Sequence, residues 1–298
     1  MTHLALHVYF WGDPETDRLL TECLGPAARE LRDEGLLERF WFTGFDTRGP
    51  HVFAVLSTPD GGSDPVRSRM AARLDRYLAE HPSTAPLTAG EIERRHAECR
   101  GKRLSAIDAE PGFASNNTYR MAAHPADGYP FWLGAEVAAQ DALWRGVQDV
   151  AFWAIEQRRA RTSTAGAVRW IAAVDRALLR AGEDPAEFWR HHAQTLLVHL
   201  EERLQADEAQ VLATLPTAVG ERNRAVFGRL WDEPPRESLA DGLVEIVLAH
   251  DGRTPAQKRM LLRDLNHCTL AQLGQPVLHH VPLILYAWQR NLQPQPAA

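Results

Sequence analysis

Histidine is abundant in this chain. Thirteen imidazoles are spread over 298 residues, and each can bind a metal or move a proton near neutral pH. His192 and His199 stand seven positions apart, two turns of one helix, with Glu202 a turn further. A zinc-type centre wants about four convergent ligands. Only three candidates face one way here, so the pair reads as part of an amphipathic surface stripe. His279-His280 adjoins an apolar helix and reads as a capping or core element. The three cysteines, Cys23, Cys99 and Cys268, are far apart and odd in number. They offer neither a disulfide framework nor a paired-cysteine metal site, and thiols of this kind fit a reducing compartment. There is no GxGxxG after a strand, no GxxxxGK[ST], no GxSxG and no HExxH. Nucleotide-dependent, serine-hydrolase and zincin chemistries lose their usual signatures, and no cofactor or metal is expected. Nine tryptophans, among them Trp132, Trp144, Trp153, Trp170, Trp189 and Trp288 on or beside helices, are mostly core. A few could line a pocket for a flat apolar ligand.

The elements that must position these groups fall into two styles. Residues 4–10 alternate Leu4, Leu6, Val8 and Phe10 against Ala5, His7 and Tyr9, a strand of period two. Gly12-Asp13-Pro14 ends it and opens a helix capped by Asp13. Strands follow at 37–45 and 51–57, then helices at 65–80 and 89–99, the last opened by Thr88-x-x-Glu91. Residues 104–119 are expected to supply one or two more strands, before a Pro/Gly/His-rich loop at 122–130. After Phe131 the period is helical, with helices at 134–157, 165–181, 185–206, 217–230, 238–250, 255–272 and 278–290. Asp184-Pro-Ala-Glu187 and Thr254-Pro-Ala-Gln257 each combine a cap, a proline and an acceptor at the third position. The expected fold class is α+β: an N-terminal antiparallel sheet with flanking helices, packed on a mainly helical C-terminal half. One body of 1–298 is expected, with a β-rich layer at 1–130 and a helical layer at 131–298.

Composition is that of a globular protein, 45% hydrophobic and 24% charged. No apolar run is long enough for a membrane span, and the first residues read as a strand, not a signal peptide. A cytoplasmic protein without membrane contact is therefore expected. The net charge of −6 argues against a nucleic-acid partner. The local basic stretches, Arg94-Arg95 with Arg100–Arg103 and Arg158–Arg161, could hold an acidic peptide.

His7-Val-Tyr-Phe-Trp-Gly-Asp13, Phe40-Trp-Phe-Thr-Gly-Phe-Asp46 and Gly49-Pro-His-Val-Phe-Ala-Val-Leu56 together resemble the opening of one family. It is the thiopeptide-type biosynthesis domain, found also as the C-terminal, glutamate-eliminating part of lantibiotic dehydratases. Pro125-Ala-Asp-Gly-Tyr-Pro-Phe131 stands where that family carries Glu-x-x-Arg-Tyr-Gly-Gly. His267-Cys-Thr-Leu-Ala-Gln-Leu-Gly274 stands where it carries His-Met-x-x-Asn-Arg-Leu-Gly.

The resemblance implies a chemistry and also a departure from it. In eliminating members, arginines of these motifs and the C-terminal histidine act on a glutamylated Ser or Thr. Here Gly44, Phe53, Val55 and Gly128 stand where arginines are expected, and His267 is retained. An arginine restored at Gly44 or Phe53 is expected to be buried and unpaired. Loss of the arginines resembles the pyridine-synthase branch, which joins two dehydroalanines of an azole peptide in a formal [4+2] aza-cycloaddition. That branch needs no cofactor, and its partner is a modified precursor peptide with its leader. The resemblance implies a catalytic set of His267, Tyr129 and Gln272, with Trp132, Asp46, Arg48, His51 and Tyr119 contacting substrate, in a cleft between the two layers. A stand-alone glutamate eliminase and a non-catalytic leader-binding scaffold are the alternative readings.

Overall fold

The alternating N-terminal segment forms the strand that its pattern predicts. In a computed structural model describing residues 2–98, 106–124, 137–201, 224–232, 239–249, 254–275 and 277–292, β1 is Thr2–Tyr9, β2 is Arg39–Phe45, β3 is His51–Thr58 and β4 is Thr118–Ala123. They make one antiparallel sheet in the order β2-β3-β1-β4. The α+β class follows. The fourth strand lies later than expected because Asn116 and Asn117 tie the chain down first. Asn116 accepts from the Trp11 amide at 3.0 Å, and Asn117, at a left-handed φ of 60°, accepts from the Ser83 amide at 2.7 Å. Residues 106–109 form a 3-10 turn instead of a strand.

Period two divides the sheet into two faces. One carries Leu4, Leu6, Val8, Ala54, Leu56, Phe40 and Phe42, all buried. It is covered by α3 (Ser63–Glu80), which packs on β1, β3 and β4, and by α5 (Val137–Arg159), which packs on β2. Phe40 stacks on Phe152 at 5.4 Å, and Gln148 accepts the Phe40 amide at 2.9 Å, so α5 also closes part of an exposed strand edge. Between β1 and β2 run α1 (Asp13–Arg18), a π-helical turn (Leu19–Leu24) and α2 (Gly25–Asp33). Gly12, not Asp13, caps α1, at φ 95°, a conformation that favours glycine. A Cβ there would lie 2.3 Å from Glu15 Oε2. The short α4 (Ala89–Glu98) carries the expected capping box, with Glu91 accepting from the Thr88 amide and Thr88 Oγ1 from the Glu91 amide.

The chain divides into compact units Met1–Arg161 and Thr162–Ala298. The division falls after α5, which spends its apolar face on β2. The second unit contains α6 (Ser163–Arg180), α7 (Pro185–Glu201), α8 (Arg224–Asp232), α9 (Leu239–Leu248), α10 (Pro255–Gln272) and α11 (Val277–Leu292). Helix α6 is buried along most of its length and packs on α7, α8, α9 and α11. The two proline-bearing starts behave as expected. Asp184 accepts the Ala186 and Glu187 amides, and Thr254 and Gln257 form the reciprocal capping box of α10. Among the described residues, no helix is long and apolar enough to cross a membrane.

Candidate functional site

The second sheet face carries the polar chemistry of the first unit. Phe53 pairs with His7 across β1 and β3, and Arg120 pairs with His7 across β1 and β4. The register therefore brings His51, two residues before Phe53, beside His7 and Tyr9. His51 Nδ1 lies 2.8 Å from the Gly49 carbonyl, which can only accept. His51 Nδ1 therefore carries the proton, and Nε2 accepts from His7 Nδ1 at 2.9 Å. Asp108 Oδ1 of the 3-10 turn stands 3.9 Å from His7 Nδ1. All three side chains are buried. Burial pushes the His7 pKa down to about 2 and that of His51 down to about 4, with Arg48 adding repulsion to both. Burial also raises the Tyr9 phenol to about 12.

Arg48 is held at the rim of this cluster. Its backbone takes φ 60°, rarely adopted outside glycine, and its guanidinium fixes the turn. It donates to Glu110 at 2.7 Å, to the Gly112 carbonyl at 3.1 Å and to the Ile107 carbonyl at 3.3 Å. Glu110 also accepts two bonds from Arg120. Asp46 accepts the Gly49 amide through its backbone carbonyl, and its carboxylate faces Arg95 at 3.7 Å. Asp46, Arg48 and His51 thus share one turn. Tyr119 does not join them. It projects from the helix-covered face and donates to Asp75 of α3 at 2.8 Å. Tyr129 and Trp132, with Gly128, lie outside the described residues.

The arginine-replacing positions separate cleanly. Phe53 and Val55 are fully buried on the histidine face. Phe53 meets His7 edge-on at 4.9 Å, Trp41 at 6.2 Å and His124 at 6.0 Å. Gly44 is exposed, and a Cβ built on it meets no described atom within 4 Å. The expectation of a buried guanidinium therefore holds for Phe53 and is corrected at Gly44, where β2 runs out toward solvent.

In the second unit, His267 of α10 is half-buried beside His280 of α11. His280 Nε2 donates to the Gln275 carbonyl at 2.9 Å, so its Nδ1 accepts from His267 Nδ1 at 3.1 Å. In neutral His267 the lone pair then sits on Nε2. The Gly274 that closes this motif is a helix stop at φ 75°, with its amide on the Ala271 carbonyl and that of Gln275 on Leu270. Gln272 is buried with Leu265 and Thr269, on a side of α10 about 140° from His267. The structure therefore brings His267 together with His280 and not with Gln272. His192 is no surface residue, contrary to the sequence reading. It is buried and stacks on Trp189 at 6.0 Å. Burial holds its pKa well below the ordinary value, reinforced by His267, Arg263 and His280. The His199 side chain lies outside the described set. His280 occupies the core role expected of the His279-His280 pair.

Sequence reasoning missed His7, Tyr9, Asp108 and Glu110 as companions of His51. The signal available was the period-two placement of His7 and Tyr9 on one face, but no spacing announces a partner across strands. The family described as lantibiotic biosynthesis dehydratase C-term matches residues 4–290. The pyridine synthase TbtD, from thiomuracin biosynthesis, superposes with a TM-score of 0.70 at 18% identity, covering 98% of this chain and 97% of that one. The tRNA-dependent lantibiotic dehydratase MibB from Microbispora sp. 107891 gives a TM-score of 0.55 at 13% identity, covering 97% of this chain and 28% of that one. Among curated proteins, none matches.

Proposed function

The chain belongs to the lantibiotic dehydratase C-terminal family, and from that premise we propose that it forms the pyridine of a thiopeptide by joining two dehydroalanines of a leader-bearing azole peptide. One observation carries this reading. Phe53 and Val55, where eliminating relatives are expected to carry arginines, are buried in the histidine face, Phe53 against the rings of His7 and Trp41. Glutamate elimination develops charge on an enolate and a departing carboxylate, and fixed cations stabilise both. A buried phenylalanine stabilises neither. The full-length similarity to a pyridine synthase supports the same choice at the level of the fold.

The proposed reaction balances without an oxidant. An amide carbon in its imidic-acid form, its nitrogen and one dehydroalanine supply four ring atoms; the second dehydroalanine supplies two. Two carbon–carbon bonds form. One ring CH2 then gives up a proton as hydroxide leaves the former amide carbon, yielding water. The other CH2 loses a proton as the leader departs as a carboxamide. Each elimination needs a base at carbon and an acid at the leaving group, which one neutral imidazole can serve in turn. His267 is proposed for that work, with Nε2 as the acceptor and His280 fixing its tautomer. Gln272 is proposed as a positioning residue of α10. Tyr129, Trp132, Asp46 and Arg48 remain proposed substrate-side residues; buried His51 and Tyr119, which donates to Asp75 on the helix-covered face, are not carried into the proposal.

The fold similarity to the dehydratase MibB keeps elimination of glutamate from a glutamylated Ser or Thr as the second reading. Mass spectrometry decides. Incubation with a dehydrated, azole-bearing precursor should release a leader carboxamide and a macrocycle whose masses together fall one water short of the precursor. Conversion of a glutamyl-serine peptide to dehydroalanine would overturn the proposal.

A further inference from the structure

The buried cluster of the first unit has a donor set that ring formation does not use. His7 Nδ1 and His51 Nε2 lie 2.9 Å apart, Asp108 Oδ1 stands 3.9 Å from His7 Nδ1, and all three ligand atoms fall within 4.8 Å of one another. Two imidazoles and a carboxylate, with no thiolate, form a donor set suited to a four-coordinate zinc that keeps one position for water. Zinc–nitrogen bonds of about 2.0–2.1 Å at tetrahedral angles separate ligand atoms by roughly 3.3 Å. The two nitrogens would part by about 0.4 Å, while the carboxylate oxygen would close by about 0.6 Å on His7 Nδ1 and by up to about 1.5 Å on His51 Nε2.

The outer contacts fit as well. Metal-bound imidazoles usually donate their second N–H to a carbonyl or carboxylate, which fixes the ligating nitrogen. His51 already does so through Nδ1 to Gly49, presenting Nε2. His7 would ligate through Nδ1, its proton leaving or moving to Nε2, so that the metal replaces the bond between the rings. The Arg48 charge is offset by Glu110 at 2.7 Å. Tyr9 adds an independent observation. Its side chain is fully buried, its ring lies 4.7 Å from that of His51, and its hydroxyl has no hydrogen-bond partner among the described residues. A water on the fourth coordination position would give that hydroxyl one.

We propose that His7, His51 and Asp108 bind one divalent cation of the zinc class, tying β1, β3 and the 3-10 turn Ala106–Ala109 together. The proposed site does not depend on which reaction the protein catalyses. The test uses the full chain without an affinity tag, stripped with a chelator and reloaded. Elemental analysis should find one zinc per chain after exhaustive dialysis. Cobalt(II) loaded instead should give visible absorption of tetrahedral intensity, and the midpoint of thermal unfolding should rise with metal concentration. Asp108→Asn, nearly isosteric, should weaken binding by about 10²-fold or more, beyond what loss of an outer contact costs. His191→Ala, at an exposed histidine, should bind as the parent does. A parent that retains no zinc and gives no cobalt band would overturn the proposal, as would Asp108→Asn with parental affinity. If His7 or His51 variants fail to fold, the parent's cobalt spectrum and Asp108→Asn still decide.

Discussion

Replacing Phe53 with arginine restores the side chain of eliminating relatives at the most closed point of the histidine face, and its cost can be worked from the contacts. Phe53 is fully buried, and withdrawing such a ring from the core forfeits about 2–3 kcal/mol. The edge-on contacts with His7 and Trp41 add about 1 kcal/mol. An arginine placed there without a partner leaves a buried charge, worth about 3–5 kcal/mol. The total is about 6–9 kcal/mol, comparable with the entire stability of an ordinary domain, about 5–15 kcal/mol. Gly44→Arg, on the exposed end of β2, should change stability by no more than about 0.5 kcal/mol. Urea unfolding followed by far-ultraviolet circular dichroism reads both. Phe53→Arg should unfold without denaturant or at a much lower midpoint, while Gly44→Arg should track the parent. Neither should convert a glutamyl-serine peptide. A Phe53→Arg protein within about 2 kcal/mol of the parent would refute the reasoning. The face would then accommodate a guanidinium, and the physical ground for excluding elimination would be gone.

His267→Ala should fold normally and lower ring formation by about 10²-fold or more, measured in single turnover by mass spectrometry; unchanged turnover removes His267 from the mechanism. His192 has a folded pKa below its unfolded value, so below about pH 6.5 the unfolded chain binds the extra proton and stability falls with pH. His192→Gln should flatten that fall by about 1.4 kcal/mol per pH unit, read from denaturant midpoints between pH 6 and 5; an unaltered slope would mean that His192 is solvated. Thr254→Ala removes the side-chain half of the α10 capping box, the bond from the Gln257 amide to the Thr254 hydroxyl, and should cost about 1 kcal/mol, visible as a lower thermal midpoint; no shift would mean that the cap is replaced by solvent.

Local signals read well because their physics is local. Thr254-Pro-Ala-Gln257 and Asp184-Pro-Ala-Glu187 cap the helices they announce, since a cap needs only side chains three residues apart. The alternation in β1 likewise fixed which side chains share a face. What depended on distant partners did not read. Helix α5 looks like the start of the helical half, but an apolar stripe does not say what it will cover, and it covers β2. The strand β4 begins later than its local pattern suggests, because its start is set by Asn116 and Asn117 bonding to residues 11 and 83. His192 passed for a surface residue because a neighbouring Trp189 can bury an imidazole that spacing alone would leave exposed.

The two histidine pairs show why the candidate site was only half legible. Each is built the same way: a backbone carbonyl, Gly49 or Gln275, takes the proton of an inner ring, and the inner ring accepts from an outer one. No sequence motif encodes this, since one pair joins residues 44 apart and the other residues 13 apart. Burial then separates their uses. His7 is fully buried, removed from direct contact with solvent, and the pair is suited to hold something fixed. His267 is half-exposed on α10, so its ring can exchange protons with a bound substrate while His280 keeps it oriented. The retained family histidine therefore fits proton transfer, and the cluster behind Phe53 fits the anchoring of the sheet.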